Sequence, residues 1–181
     1  MELETQRLIL RNISEADIDD ITRICQDPEI YEHTLLIPSP YTRVNAEHWV
    51  DMISKNRAEG KAGHDFGIHL KENDRLVGVI SLAPKNRHDD SETGYWLDKD
   101  YRNQGIMTES LKAVIAFGFK NGCHRVSACH FASNPRSGRV MEKAGMKREG
   151  LHRESLKKND QYMDDVVYGI LDWEFRENDL D

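Results

Sequence analysis

A single stretch, Glu92 to Phe119, limits what this chain can become. Thr93 to Leu97 is dense in aromatic and β-compatible residues and predicts a strand. Asp98-Lys99-Asp100 closes that strand as a charged turn. Tyr101-Arg102-Asn103-Gln104-Gly105 makes a polar loop, and from Ile106 onward Leu111, Val114, Ile115 and Gly118 recur at helical spacing. The result is a strand, a tight loop and a helix whose first amides have no intrahelical acceptor. Together with the helix dipole, such amides suit an anion, above all a phosphate. An ordinary strand-to-helix connection has the same pattern, so the rest of the chain must decide.

Arg7 to Arg11 reads as a first strand. Ser14 caps a helix carrying Ile18, Ile21, Ile24 and Cys25, which Asp27-Pro28 ends, and the acidic run Glu15 to Asp20 reads as its solvated face. Tyr31 to Thr42, with Pro38 and Pro40, reads as a loop. Thr42 caps a second helix with Val44, Trp49, Val50 and Ile53 on its apolar side, its aromatics being core. Phe66 to Leu70 and Leu76 to Leu82 predict a hairpin turning at Asn73-Asp74, so three strands in antiparallel order precede the loop. Arg125 to Phe131 follows the helix as a strand, which makes a parallel βαβ unit. Asn134 or Ser137 caps a helix over Gly138 to Ala144, Gly145 stops it, and strands near Met146 to Leu151 and Val166 to Leu171 finish the sheet.

The expected architecture is one α/β (α+β) domain spanning residues 1–181. Its mixed central sheet has about six to seven strands, an antiparallel meander followed by a parallel βαβ unit, with helices on both faces. A net charge of −7 argues against non-specific nucleic-acid binding and is compatible with a cationic partner, though mild acidity also aids solubility alone. No apolar run approaches the roughly 20 residues a membrane span needs, and the acidic start gives no sign of a secretory leader. The 3 cysteines lack C-x-x-C spacing, which suits reduced thiols in a cytoplasm. The 8 histidines show no H-E-x-x-H or Cys/His pairing, so no metal is expected.

Three segments in order give these residues a wider context. Glu4-Thr5-Gln6-Arg7-Leu8-Ile9-Leu10-Arg11, Gly94-Tyr95-Trp96-Leu97 with Arg102 to Glu109, and Asn134 to Met146 resemble the GCN5-related N-acetyltransferase (GNAT) superfamily. Nearest in pattern is its ribosomal-protein N-acetyltransferase (RimJ/RimL-like) branch. Asn103 stands where many members of the superfamily have an extra glycine, and Met107 where they have a small residue. Gly105, where the backbone comes nearest the ligand, is kept.

That resemblance implies acetyl-CoA as donor and an amine as acceptor, a ribosomal protein N-terminus being the foremost candidate. A small-molecule amine (polyamine, amino acid or antibiotic) and a non-catalytic acyl-CoA sensor are the alternatives. It implies that the amides of Arg102, Asn103, Gln104, Gly105, Ile106, Met107 and Thr108 cradle the pyrophosphate. Tyr95, Trp96 and Leu97 would pair with the pantetheine arm, and Asn134 would hold a pantetheine amide or a water. Ser137 would serve the leaving thiolate, unless it and Asn134 only cap their helix. Glu92 is the candidate base, with His130, His152 and Glu154 behind it. Strand alternation puts Glu92, Gly94 and Trp96 on one face and Thr93, Tyr95 and Leu97 on the other. A monomer and a homodimer are both open.

Overall fold

The computed structural model describes residues 1–61 and 63–176. Its sheet has eight strands in the order β1-β2-β3-β4-β5-β6-β8-β7. These are β1 (Glu2–Glu4), β2 (Leu8–Asn12), β3 (His64–Leu70), β4 (Leu76–Leu82), β5 (Asp90–Leu97), β6 (Arg125–Phe131), β7 (Lys147–Lys158) and β8 (Gln161–Leu171). The strand added to the expected set is β1, three residues that pair antiparallel with β2 at the edge. The meander β3-β4-β5 is antiparallel, as read from the sequence. The one parallel pair is β5 with β6, joined by helix α4 (Ile106–Lys120).

Helices cover both faces. On one side α4 and α5 (Pro135–Lys143) close a core that includes Leu8, Leu10, Phe66, Ile68, Leu111 and Ile115, none of them exposed. Burying each such side chain stabilises the fold by about 1.5–3 kcal/mol before chain entropy is counted. On the other side α1 (Ile18–Cys25) and α3 (Arg43–Ala58) pack Ile21, Ile24, Ala46, Val50 and Ile53 against Leu76 and Val79. Trp49 is partly buried in that second core, as expected.

Several expectations change. Val44 is not on the apolar side of α3; it is 70% exposed, and Ala46 takes the inward place. Thr42 caps α3 by a reciprocal pair of bonds with Asn45. The stretch before it is not all loop, because Asp27 accepts from the Glu29 amide and Pro28 opens a short helix, α2 (Pro28–His33). The acidic run is not wholly solvated either. Asp17 is only 5% exposed, accepts from the Ser14 amide and hydroxyl, and lies 2.9 Å from His69 Nε2. Burial pushes the Asp17 carboxyl up, but His69 and Ser14 outweigh it and leave the group below its ordinary value. Helix α5 begins at Pro135, earlier than Gly138, because proline's fixed φ suits a first helical position.

Candidate functional site

The parallel pair is short. β5 and β6 stay in register only from Asp90↔Arg125 to Thr93↔Ala128, although β5 continues to Leu97 and β6 to Phe131. The strands therefore part in mid-sheet, and Gly94–Leu97 face Cys129–Phe131 across a gap. A cleft of about 350 Å³ runs from that gap to the N-terminus of α4. Thr93 to Leu97 form one wall, Asn134, Ser137, Arg139 and Lys143 another, and α2 contributes Glu29, Ile30 and His33.

At one end lies the loop picked out by the sequence. Gly105 caps α4 with φ +79° and Asn103 has φ +62°, both left-handed. Asparagine is among the few non-glycine residues that adopt this conformation readily, so Asn103 can replace a glycine without changing the path. Met107 is 5% exposed and its side chain belongs to the core, which leaves its amide free to face the cleft. The amides of Asn103, Gln104 and Gly105 have no backbone acceptor among the described residues, and Ile106, Met107 and Thr108 open the helix. Six consecutive amides at a positive helix end can hold an anion. Arg139 and Lys143, one turn apart on α5, add charge to the cleft and form no ion pair among the described residues.

The loop is fastened from outside. Glu109 accepts from the Thr5 hydroxyl (2.6 Å), the Arg7 amide (2.9 Å) and Arg7 Nε (2.7 Å), while Arg7 Nη1 donates to the Gln104 carbonyl at 3.0 Å. Burial pushes the Glu109 carboxyl up, but these donors outweigh it and leave it below its usual range. The Arg102 guanidinium points away from the amides, to Asp27 (2.5 Å), Glu29 (2.7 Å) and the Leu97 carbonyl (3.3 Å). It ties α2 to the end of β5. Gln104 also turns away, its side chain donating to the Asp100 carbonyl, and it does not line the cleft.

Where the strands part, Tyr95 Oη lies 3.0 Å from Ser137 Oγ and donates to the Ser137 carbonyl at 3.1 Å. Burial raises the Tyr95 phenol well above its ordinary value, so it stays a protonated donor. The sequence reading used only the backbone of Tyr95 and missed this pairing. Asn134 is the N-cap of α5 by position, but its side chain makes no capping bond. Its amide group is free toward the cleft, and the capping role weighed for it falls away.

Glu92 does not line the cleft. It is exposed beside the opening and accepts a 3.5 Å contact from the Cys129 thiol, which does line it. His130 lines the cleft with Nδ1 held 2.8 Å from its neighbour's carbonyl; His152 and Glu154 are exposed on β7. The hairpin of β7 and β8 reaches over to α2, where Lys158 meets the Tyr31 and Thr34 carbonyls and lies 3.9 Å from the Tyr31 ring centre. Leu36, just beyond α2, is 88% exposed at this end.

Chemically, one end of the cleft offers amides to an anion and an open strand edge to a ligand bearing amides. The other offers the imidazoles of His33 and His130, the Cys129 thiol and one carboxylate, Glu29, which Arg102 and Arg136 hold. Among the described residues no helix is long and apolar enough to cross a membrane, and no cluster of three potential metal ligands occurs.

Comparison with known proteins adds four similarities. Residues 7–147 match the family described as acetyltransferase (GNAT) domain. Over 177 residues, 97% of this chain and 99% of the relative, the chain is 28% identical to N-acetyltransferase YnaD of Bacillus subtilis. It is 35% identical over 103 residues, 54% of this chain and 56% of the relative, to the ribosomal-protein-serine acetyltransferase of Escherichia coli. The solved structure of RimL, a ribosomal L7/L12 alpha-N-protein acetyltransferase in complex with coenzyme A, superposes with a TM-score of 0.85 at 19% identity. That match covers 94% of this chain and 98% of the other.

Proposed function

The chain belongs to the GNAT acetyltransferase family, and on that premise we propose that it moves the acetyl group of acetyl-CoA to a protein N-terminal α-amine. The observation that carries this reading is the parting of β5 from β6 beside the free amides of Asn103 to Thr108. The residues fit coenzyme A along the length of the cleft. Amides and the cations Arg139 and Lys143 meet the phosphates, and the open edge at Gly94–Leu97 with Asn134 meets the pantetheine amides. Ser137 and Tyr95 then stand where the sulfur would lie. Bound acetyl-CoA supplies an activated thioester carbonyl, and the protein supplies position, an oxyanion partner and two proton transfers.

Glu92, directly or through a water, takes the proton that the attacking ammonium must lose. A backbone amide on the open edge of β5 donates to the carbonyl oxygen as the C–N bond forms; such a donor is worth about 2.7–4 kcal/mol of barrier. As the C–S bond breaks, Ser137 Oγ gives the departing thiolate a proton and recovers one, through solvent, from the newly acylated nitrogen, with Tyr95 Oη 3.0 Å from it. The protein acts as a single domain over residues 1–181 in the cytoplasm, where acetyl-CoA and reduced thiols coexist.

Similarity to a ribosomal-protein-serine acetyltransferase supports a ribosomal protein as the acceptor. Glu92, exposed beside the cleft and in no ion pair among the described residues, favours a second acceptor class, small polyamines. Thiol release from acetyl-CoA, followed with N-terminal ribosomal peptides, polyamines and aminoglycosides, tests both. Turnover with a peptide supports the first reading and turnover confined to polyamines the second. No turnover with any amine leaves only an acyl-CoA-binding role and overturns the acetyl-transfer assignment.

A further inference from the structure

Behind the anion loop stand three side chains that line no part of the cleft, those of Thr5, Arg7 and Glu109. Glu109 gathers the Thr5 hydroxyl, the Arg7 amide and Arg7 Nε, and its side chain is only 14% exposed. The turn that supplies these donors is itself fixed. The Thr5 amide donates to the Leu8 carbonyl, the Lys71 amide donates to the Arg7 carbonyl at 2.9 Å, and Lys71 pairs with Glu4. Arg7 is thus held to α4 through its amide and to the residue after β3 through its carbonyl. From that fixed point its guanidinium reaches the loop. Nη1 donates to the Gln104 carbonyl at 3.0 Å, and a β-carbon on Gly105 would stand 3.4 Å from Nη2.

Two properties of the loop explain what such a brace can do. Asn103 and Gly105 both hold left-handed backbone, and a loop that took this shape only on binding would lose affinity to its own ordering. Glu109, moreover, lies in the first turn of α4, within the positive field that a phosphate would use. A bare carboxylate there would oppose the phosphate, and Arg7 offsets its charge. The loop's own side chains offer no substitute, since Arg102 turns to Asp27 and Glu29 and Gln104 to the Asp100 carbonyl.

We propose that Arg7 and Glu109 are positioning residues for the donor, holding the Asn103–Thr108 loop ready for a diphosphate, so that the chain selects a donor carrying one over bare pantetheine. This rests on the coenzyme A reading above and deepens it. The pair acts through the loop; neither side chain meets the ligand.

Calorimetry with coenzyme A, and with pantetheine, which lacks the phosphates, tests this on the wild-type chain and four variants. Arg7→Met is expected to weaken coenzyme A about 10–30-fold, since it breaks charge-assisted bonds and leaves Glu109 uncompensated. Glu109→Gln is expected to weaken it about 3–10-fold, because Arg7 keeps its charge and its bond to Gln104. The double variant is expected to bind no worse than Arg7→Met, within about threefold, as a pair acting as one unit requires. Arg7→Lys keeps the charge but not the planar fork, and is expected to stay at least about fivefold weaker than wild type. Pantetheine affinity is expected to hold within about twofold throughout. Unchanged coenzyme A affinity in Arg7→Met, equal losses for coenzyme A and pantetheine, single losses that multiply in the double variant, or full recovery by lysine would each overturn the proposal. Equal losses are also what a merely damaged fold would give. Thiol release from acetyl-CoA with amines, followed in parallel, separates the brace from the reading beneath it. In Arg7→Met the KM for acetyl-CoA is expected to rise with the loss of affinity while kcat holds within about twofold. Selective loss of coenzyme A without turnover in any chain keeps the brace and removes acetyl transfer. Turnover with a KM for acetyl-CoA indifferent to Arg7 keeps acetyl transfer and removes the brace. A wild-type chain that binds no coenzyme A removes both.

Discussion

The two ends of the cleft are built from different materials. The α4 end is made of backbone: six amides on a loop whose shape is set by two left-handed residues, Asn103 and Gly105, and by Met107 turned into the core. The α2 end is made of side chains from separate parts of the chain, with Glu29 and His33 from a short helix and Cys129 and His130 from β6. Backbone offers the same donors whatever the side chains, so that end suits one constant ligand. Side chains can be exchanged singly, so the other end is where relatives of one fold can diverge in acceptor. Arg102 joins the two, since it stands in the loop yet bonds to Asp27 and Glu29 of α2.

The largest expected effect strikes the backbone end. Gly105→Glu places a side chain at φ +79° and a negative charge against the amides, and it should weaken coenzyme A at least about 100-fold in calorimetry. Affinity close to wild type would mean that the anion lies elsewhere. Ser137→Ala should lower turnover about 10²-fold or more while coenzyme A affinity stays within about twofold, the signature of a lost proton donor. Unchanged turnover would pass that role to Tyr95, whose hydroxyl lies 3.0 Å away. Arg102→Met cuts the link between the ends. It should raise the acceptor KM more than that of acetyl-CoA and reduce unfolding stability by about 1–2 kcal/mol, given a side chain that is partly exposed. Equal effects on the two substrates would show that the ends are not separable.

Acid stability compares the supports of the two ends. Asp17, beneath the α1 and α3 core, and Glu109, behind the loop, both have carboxyls held below their ordinary values. For such groups the stabilisation is complete above the unfolded value of about 4 and is lost as pH falls through the lowered folded value. Urea midpoints should therefore drop below about pH 4, and the drop should be shallower in Asp17→Asn and in Glu109→Gln than in the wild type. The smallest effect belongs to Val44→Thr, at most about 0.5 kcal/mol, because that valine is 70% exposed and packs on neither core.

The same contrast governs what could be read without coordinates. The loop and helix from Arg102 to Phe119 are contiguous, and their spacing, glycine and polar run carry the geometry directly. The hairpin at Asn73-Asp74, the parallel pair and the Thr42 cap were legible for the same reason, each being a local pattern. Glu92 was picked for its place on β5, yet its neighbour Cys129 comes from another strand, and no spacing announces their contact. Arg7 and Glu109 each stand in a segment that the sequence singles out, yet nothing in either segment announces that they meet. Val44 fitted the helical period about as well as its neighbours; the packing of α3 on α1 selected Ala46 in its place. Arg102 was legible as part of the loop, but the direction of its side chain depends on Asp27 and Glu29, over seventy residues earlier.

Amide hydrogen exchange with and without coenzyme A tests the central claim most directly, because that claim concerns backbone donors. Saturating coenzyme A is expected to slow exchange about tenfold or more in Asn103–Thr108 and along Gly94–Leu97, and to leave the β7–β8 hairpin little changed. Saturation with no protection in either segment would contradict the account.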